Sequence, residues 1–118
     1  MSPDDALGAV RAYILGVARQ DADALKQLFD ANAHIVGLDE GRLSSVPRDR
    51  WIAFVTSSER KGAGKQDYSV LSLTIQDTVA TAVVRARFGA FEYTDILSLL
   101  AVDGAVRVVG KAYHQHAR

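Results

Sequence analysis

Residues 67–116 read DYSVLSLTIQ, DT, VATAVVRARF, GA, FEYTDILSLLAV, DG, AVRVVGKAYHQH once three short breaks are set apart. The four long runs are rich in Val, Ile, Leu, Thr and aromatic residues, and they alternate apolar with polar at period 2. Each break is two residues long and carries Gly or Asp, the chemistry of a tight hairpin. The reading is four long strands in an antiparallel meander, around which the rest of the chain must be arranged.

One residue resists that pattern. Alternation sets Asp95 on the same face as Phe91, Tyr93, Leu97 and Leu99. A carboxylate on an apolar face is costly unless it is paired, hydrogen-bonded or protonated. Counting outward from two-residue turns gives a trial register. Across GA, Ala86 faces Tyr93 and Val84 faces Asp95. Across DG, Leu99 faces Val108, Leu97 faces Gly110, Asp95 faces Ala112 and Tyr93 faces His114. Across DT, Leu73 faces Ala82 and Leu71 faces Val84. The face that must take the helices is then aliphatic at one end. Its other end is small at Ala86, Gly110 and Ala112 and polar at Tyr93, Asp95 and His114, which is how a pocket would look. The opposite face collects Val83, Arg85, Arg87, Glu92, Ile96, Val109 and Lys111.

The first half supplies the helices. Ser2 or Asp4 can cap a first helix, with Pro3 in its opening turn. Ala6, Val10, Tyr13, Ile14 and Val17 form one stripe at helical spacing. Asp21 can cap a second helix, ADALKQLFD, that buries Leu25, Leu28 and Phe29. AHIVGL reads as a short strand and DEGRLSS as a turn with a second short strand. Pro47 opens a third helix, RDRWIAFVTSS, with Trp51, Phe54 and Val55 inward. KGAGK, residues 61–65, lacks the phosphate-loop pattern and reads as a flexible loop. Helices first and a meander afterwards predict an α+β fold, one domain over residues 1–118, with three helices on a strongly curved antiparallel sheet.

Composition narrows the function. Fourteen basic and fourteen acidic residues cancel, so no basic field is available to hold nucleic acid. There is no cysteine for a disulfide, a thiol nucleophile or a zinc–thiolate site. The N-terminal segment lacks the basic start and continuous apolar run of a signal peptide, and no segment reaches membrane-spanning length. A cytoplasmic protein with no membrane partner is the expectation. His114 and His116 share a strand face, but the register secures no third ligand from His34 or Asp95. No metal or other cofactor is expected.

The segments DADALKQLFDANAHIVG and YTDILSLLAVDGAVRVVGKAYHQ, with the order of helices and strands, resemble the nuclear transport factor 2-like superfamily, the cystatin-like cone fold. The nearest pattern is the putative lumazine-binding and polyketide cyclase-like group. The resemblance covers nearly the whole chain and implies a cone-shaped α+β fold. That fold hosts isomerases, hydrolases, cyclases, dehydratases and binding modules alike. The first helix and its sequel also resemble ketosteroid isomerase, where a tyrosine and a protonated aspartic acid stabilise a dienolate. Carried over, the oxyanion tyrosine falls on Tyr13 and the oxyanion aspartate on Asp95. The general base falls on Gly37, which can transfer no proton. Asp39 lies two residues on along the same strand face, and His34 points the other way.

Three functions follow as expectations. The first is a small-molecule-binding domain for an apolar or aromatic compound, with an apolar pocket and a polar Tyr/Asp/His end. Asp95, Tyr13 and His114 would be its chemical groups, and Trp51, Phe54, Tyr93, Asp39 and Gly110 its walls and contacts. The second is an enzyme on that pocket, moving protons on a ring carbonyl compound with His114 or Asp39 as base. The third is a non-catalytic dimerisation module. In each case the mixed outer sheet face, with Val83, Ile96 and Val109 among Ser, Thr and Arg, is expected to form a homodimer.

Overall fold

The structure, a computed structural model, describes residues 1–57 and 67–116. The KGAGK stretch lies outside the described residues.

Helix α1 (Pro3–Ala18) starts at Ser2, whose hydroxyl accepts from the Asp5 amide while the Asp5 carboxylate accepts from the Ser2 amide. This reciprocal cap satisfies donors that the helix cannot pair internally. Asp21 caps α2 (Ala22–Leu28) by accepting from the Ala24 amide. Two strands follow, β1 (Phe29–Asp39) and β2 (Arg42–Pro47), and then α3 (Arg48–Val55). The meander is β3 (Tyr68–Gln76), β4 (Val79–Phe88), β5 (Phe91–Val102) and β6 (Ala105–Gln115). At the β5–β6 turn Asp103 and Gly104 both take positive φ, 50° and 78°. That conformation is favoured for Asp–Gly in a two-residue hairpin, so the turn pins Val102 opposite Ala105.

The six strands form one sheet in the order β2-β1-β6-β5-β4-β3. The meander and the β1–β2 hairpin are antiparallel, while β1 joins β6 in parallel. The strand expected as AHIVGL is longer and begins at Phe29, directly after α2. The helices cover one face of the curled sheet. The core between them includes Val10, Leu25, Phe29, Ile35, Ile52, Val84, Leu97, Leu99 and Val108, all essentially inaccessible to solvent. Among the described residues no helix is long and apolar enough to cross a membrane.

The turn-counted register holds along β4–β5, where Ala86 pairs with Tyr93 and Val84 with Asp95. Along β5–β6 it holds only as far as Leu99 and Val108. There Val109 is an extra residue, and Ser98 pairs with Gly110. A bulge of this kind inverts every face assignment beyond it. Asp95 pairs with Tyr113 rather than Ala112, Leu97 with Lys111 rather than Gly110, and Tyr93 with Gln115 rather than His114. Leu71 is likewise an extra residue in β3, so Val70 rather than Leu71 pairs with Val84, and Leu71 is exposed.

Candidate functional site

The polar end of the concave face encloses a cavity of about 270 Å³ between α1, α3 and the sheet. From α1, Tyr13 reaches in with its ring 6.3 Å from that of Trp51 on α3, the two nearly parallel. Phe29 packs against both rings, at 6.0 Å from Tyr13 and 4.8 Å from Trp51. These contacts hold Tyr13 and Trp51 rigidly, because buried aromatic rings move only by displacing their neighbours. Phe54, half exposed, lines the cavity together with the exposed Arg50, Arg87 and Asp67.

Asp95 is the one buried charged residue among those described, with 2% of its surface exposed. Tyr13 Oη donates to its Oδ2 at 2.6 Å, the short length of a hydroxyl bonded to a carboxylate. Its Oδ1 is buried and has no hydrogen-bond partner among the described residues. Burial, and then the charge and hydrogen bond of Asp95, push the Tyr13 phenol well above its ordinary range. Tyr13 is therefore a proton-holding donor near neutrality.

Lys111, which the bulge turns inward, also lines the cavity. Its Nζ lies 4.5 Å from the Trp51 ring centre, 4.8 Å from that of Tyr13 and 5.4 Å from that of Tyr113. Three ring faces attract the cation. Among the described residues no oxygen accepts a hydrogen bond from it and no carboxylate lies within ion-pair distance. Burial pulls the Lys111 pKa below the ordinary lysine value, while the charges of Asp95 and Asp39 pull it back up.

Tyr113 is the second residue delivered by the bulge. Its Oη donates to Asp39 Oδ2 at 2.7 Å, and its ring sits edge-on to Tyr93 at 6.1 Å. The Tyr113 phenol is raised to about 12, by burial first and by the Asp39 hydrogen bond next, with Ser44 pulling the other way. Tyr113 also explains Gly37. A Cβ on Gly37 would lie 2.5 Å from the Tyr113 ring and 2.5 Å from its carbonyl oxygen. No side chain fits there, so the position to which the resemblance assigns a base is instead covered by Tyr113, which is held by Asp39.

Of the residues expected at the site, Asp95, Tyr13, Trp51, Phe54, Tyr93 and Asp39 line the cavity. His114 does not. It pairs with Thr94, is exposed on the outer face, and packs edge-on against His116 at 4.8 Å. His116 in turn bonds the Thr94 hydroxyl at 2.8 Å. Gly110 does not line it either: it pairs with Ser98, and a Cβ there would meet nothing within 4 Å. His34 points away as expected and bonds Ser45. Lys111 and Tyr113 are among the lining residues that the sequence reading missed, with Ser44, Arg50, Asp67 and Arg87, the last of which turn-counting sets on the opposite face. A signal for the first two was present. The doublet Val108–Val109 breaks the alternation, and the glycine after it is a bulge marker inside a strand.

Solved structures with this architecture carry the same fold. An NTF2-like protein of unknown function from Silicibacter pomeroyi is 26% identical, with a TM-score of 0.88 over 96% of this chain and 94% of that one. A second NTF2-like protein of unknown function, from Methylobacillus flagellatus, is 25% identical, with a TM-score of 0.78 over 99% and 96%. A ketosteroid isomerase-like protein from Erwinia carotovora atroseptica is 15% identical, with a TM-score of 0.73 over the full length of both chains, and at that identity it speaks for the fold alone. Among curated proteins none matches this sequence. The sequence pattern of one family matches residues 3–114, which takes in every element from α1 to the inward-turned end of β6. The chain belongs to the family described as Putative lumazine-binding.

Proposed function

We propose that this protein binds a small planar molecule, aromatic or otherwise apolar, with a carbonyl-type oxygen directed at Lys111. The observation that carries this is an ammonium with no acceptor among the described residues, at the polar end of an aromatic-walled cavity. A partly buried donor that no described residue satisfies is costly, and an oxygen from a ligand would relieve it. Asp95 and Asp39 stand close enough to act on Lys111 electrostatically. Their charge favours a neutral acceptor over an anion. The cavity, about 270 Å³, lies at the small end of ligand pockets, which favours one or two fused rings over a larger polycycle. Lumazine, the compound in the family's description, has two fused rings and ring carbonyls and suits these requirements.

Trp51 is the only tryptophan in the chain and lines the cavity, so its emission reports occupancy. Titration with lumazine should quench that emission saturably, and Lys111→Met should weaken the effect. Emission unchanged by both lumazine and 2-naphthaldehyde, up to their solubility limits, would overturn the reading.

The 2.6 Å bond between Tyr13 and Asp95 supports a second reading, an isomerase- or cyclase-like enzyme acting on a ring carbonyl compound. Asp39 is then the candidate base, engaged at rest by Tyr113. Turnover of an unsaturated ring ketone that disappears in Asp39→Asn would support it, and its absence would leave binding alone. The outer sheet face carries Ile96 and Val109, and the bulge places Gly110 and Ala112 there in place of Lys111. We expect a second copy of the chain on that face, and sedimentation at micromolar concentration checks it.

A further inference from the structure

We propose that Lys111 is a carbonyl-capturing amine, which forms a reversible imine with an aromatic aldehyde or ketone held in the cavity. This rests on the binding reading above and goes beyond it, because a cavity can hold a ligand without reacting with it.

Four features of the structure meet at Nζ. It belongs to a residue that lines a cavity of about 270 Å³. It is tied to no protein acceptor among the described residues, so it need break no ion pair to react. Three aromatic rings surround it, and they would flank a flat ligand bonded to it. Desolvation favours the neutral, nucleophilic amine. An arginine at this place would bind oxygen as well or better. Only a lysine offers a lone pair.

The chemistry balances without an oxidant or reductant. The neutral Nζ lone pair forms a bond to the carbonyl carbon as the C=O π bond opens. A proton passes from nitrogen to oxygen and gives a carbinolamine. A proton from solvent on that hydroxyl lets it leave as water while the nitrogen lone pair closes the C=N bond. The product is an iminium, and water reverses each step. Asp95 and Asp39, whose charges already favour a cation at Nζ, would favour the iminium in the same way. Tyr13, whose phenol stays protonated, holds Asp95 in place during the change.

The test uses the wild-type chain, 2-naphthaldehyde and cyanoborohydride at pH 7, with peptide mass mapping over time. Lys26, Lys61 and Lys65 are internal references. Lys111 should be alkylated at least about tenfold faster than Lys26, as expected of a desolvated amine, and 2-naphthol, which has the same ring system and cannot form an imine, should slow it. Equal rates at Lys111 and Lys26 would overturn the proposal, as would fast labelling that 2-naphthol leaves unchanged. Saturable quenching of Trp51 by the aldehyde with no adduct at Lys111 would sink the imine while leaving the binding reading intact. Lys111→Arg should still bind 2-naphthol and show no adduct at position 111. Should that variant fail to fold, the comparison among lysines of the wild-type chain still decides.

Discussion

Strand β6 behaves as two strands joined at Val109. Before the bulge, Val106 and Val108 continue the alternation set by the Asp103–Gly104 turn, and Val108 packs beneath the helices beside Leu99. After it, Lys111 and Tyr113 point inward and Gly110, Ala112 and His114 outward, the inverse of what turn-counting gives. The first half is ordinary core. The second half carries an ammonium that no described residue accepts from, a phenol on a carboxylate and part of the cavity wall. A single inserted residue therefore separates a stabilising region from a chemically equipped one. Bulges commonly re-aim side chains beside functional sites.

The sharpest way to break this contrast is at Gly37, where the polar end meets β1. Gly37→Ala drives a methyl group against the Tyr113 ring and backbone carbonyl. Overpacking together with loss of the Tyr113–Asp39 hydrogen bond should cost about 2–4 kcal/mol, read by urea denaturation. A variant as stable as wild type would mean that Tyr113 does not lie over Gly37.

Tyr13→Phe comes next. It removes the donor to Asp95 Oδ2 and leaves that oxygen, like Oδ1, without a hydrogen-bond partner among the described residues. The cost should be roughly 1.5–3 kcal/mol, as for a hydrogen bond to a charged group, and the Trp51 emission maximum should shift because the neighbouring ring pair is altered. No loss of stability would show that Asp95 is satisfied some other way.

The third effect is one of sign. Folded Lys111 holds its proton less tightly than the unfolded chain does, because burial outweighs the attraction of Asp95 and Asp39. Its charge weighs against folding at all pH values below its folded pKa, and that weight lifts as pH rises toward the unfolded value near 10.5. Lys111→Met removes it. Thermal melts should give a Tm equal to or above wild type at pH 7, with the difference shrinking at alkaline pH. A Tm lower by several degrees would mean that the two carboxylates depend on the cation for stability.

The smallest effect belongs to Gly110, on the outward side of the bulge. Gly110→Ala adds a methyl group to open space and should change stability by no more than about 0.5 kcal/mol, as at ordinary surface positions. It should also leave ligand-induced quenching of Trp51 untouched. Weakened quenching would return Gly110 to the pocket wall, where turn-counting puts it.

Much of this was legible in the residues. Period-2 runs and two-residue turns gave the meander, and helical stripes with Ser2 and Asp21 as caps gave α1 and α2. Asp95 announced itself by violating its strand's pattern, and Tyr13 by its place in the resemblance. Two things were hidden. The parallel pairing of β1 with β6 depends on where the chain travels after α2, which no local pattern encodes. The inward turn of Lys111 and Tyr113 depends on Val109. The cue, a valine doublet before a strand glycine, is weaker than the regular alternation on either side of it. His114 looked chemically apt only because the count ran one residue out of phase.

The central claim is that the bulge puts Lys111, and not His114, at the ligand. An NMR titration with the Lys111 ¹³Cε, Lys26 ¹³Cε and His114 ring signals assigned tests it directly. In the free protein Lys111 should titrate below the ordinary lysine value of 10.5. On addition of lumazine at pH 7 the Lys111 signal should move saturably while the His114 ring stays still. A Lys111 signal that titrates at the ordinary lysine value and ignores the ligand, while His114 responds, would contradict the account.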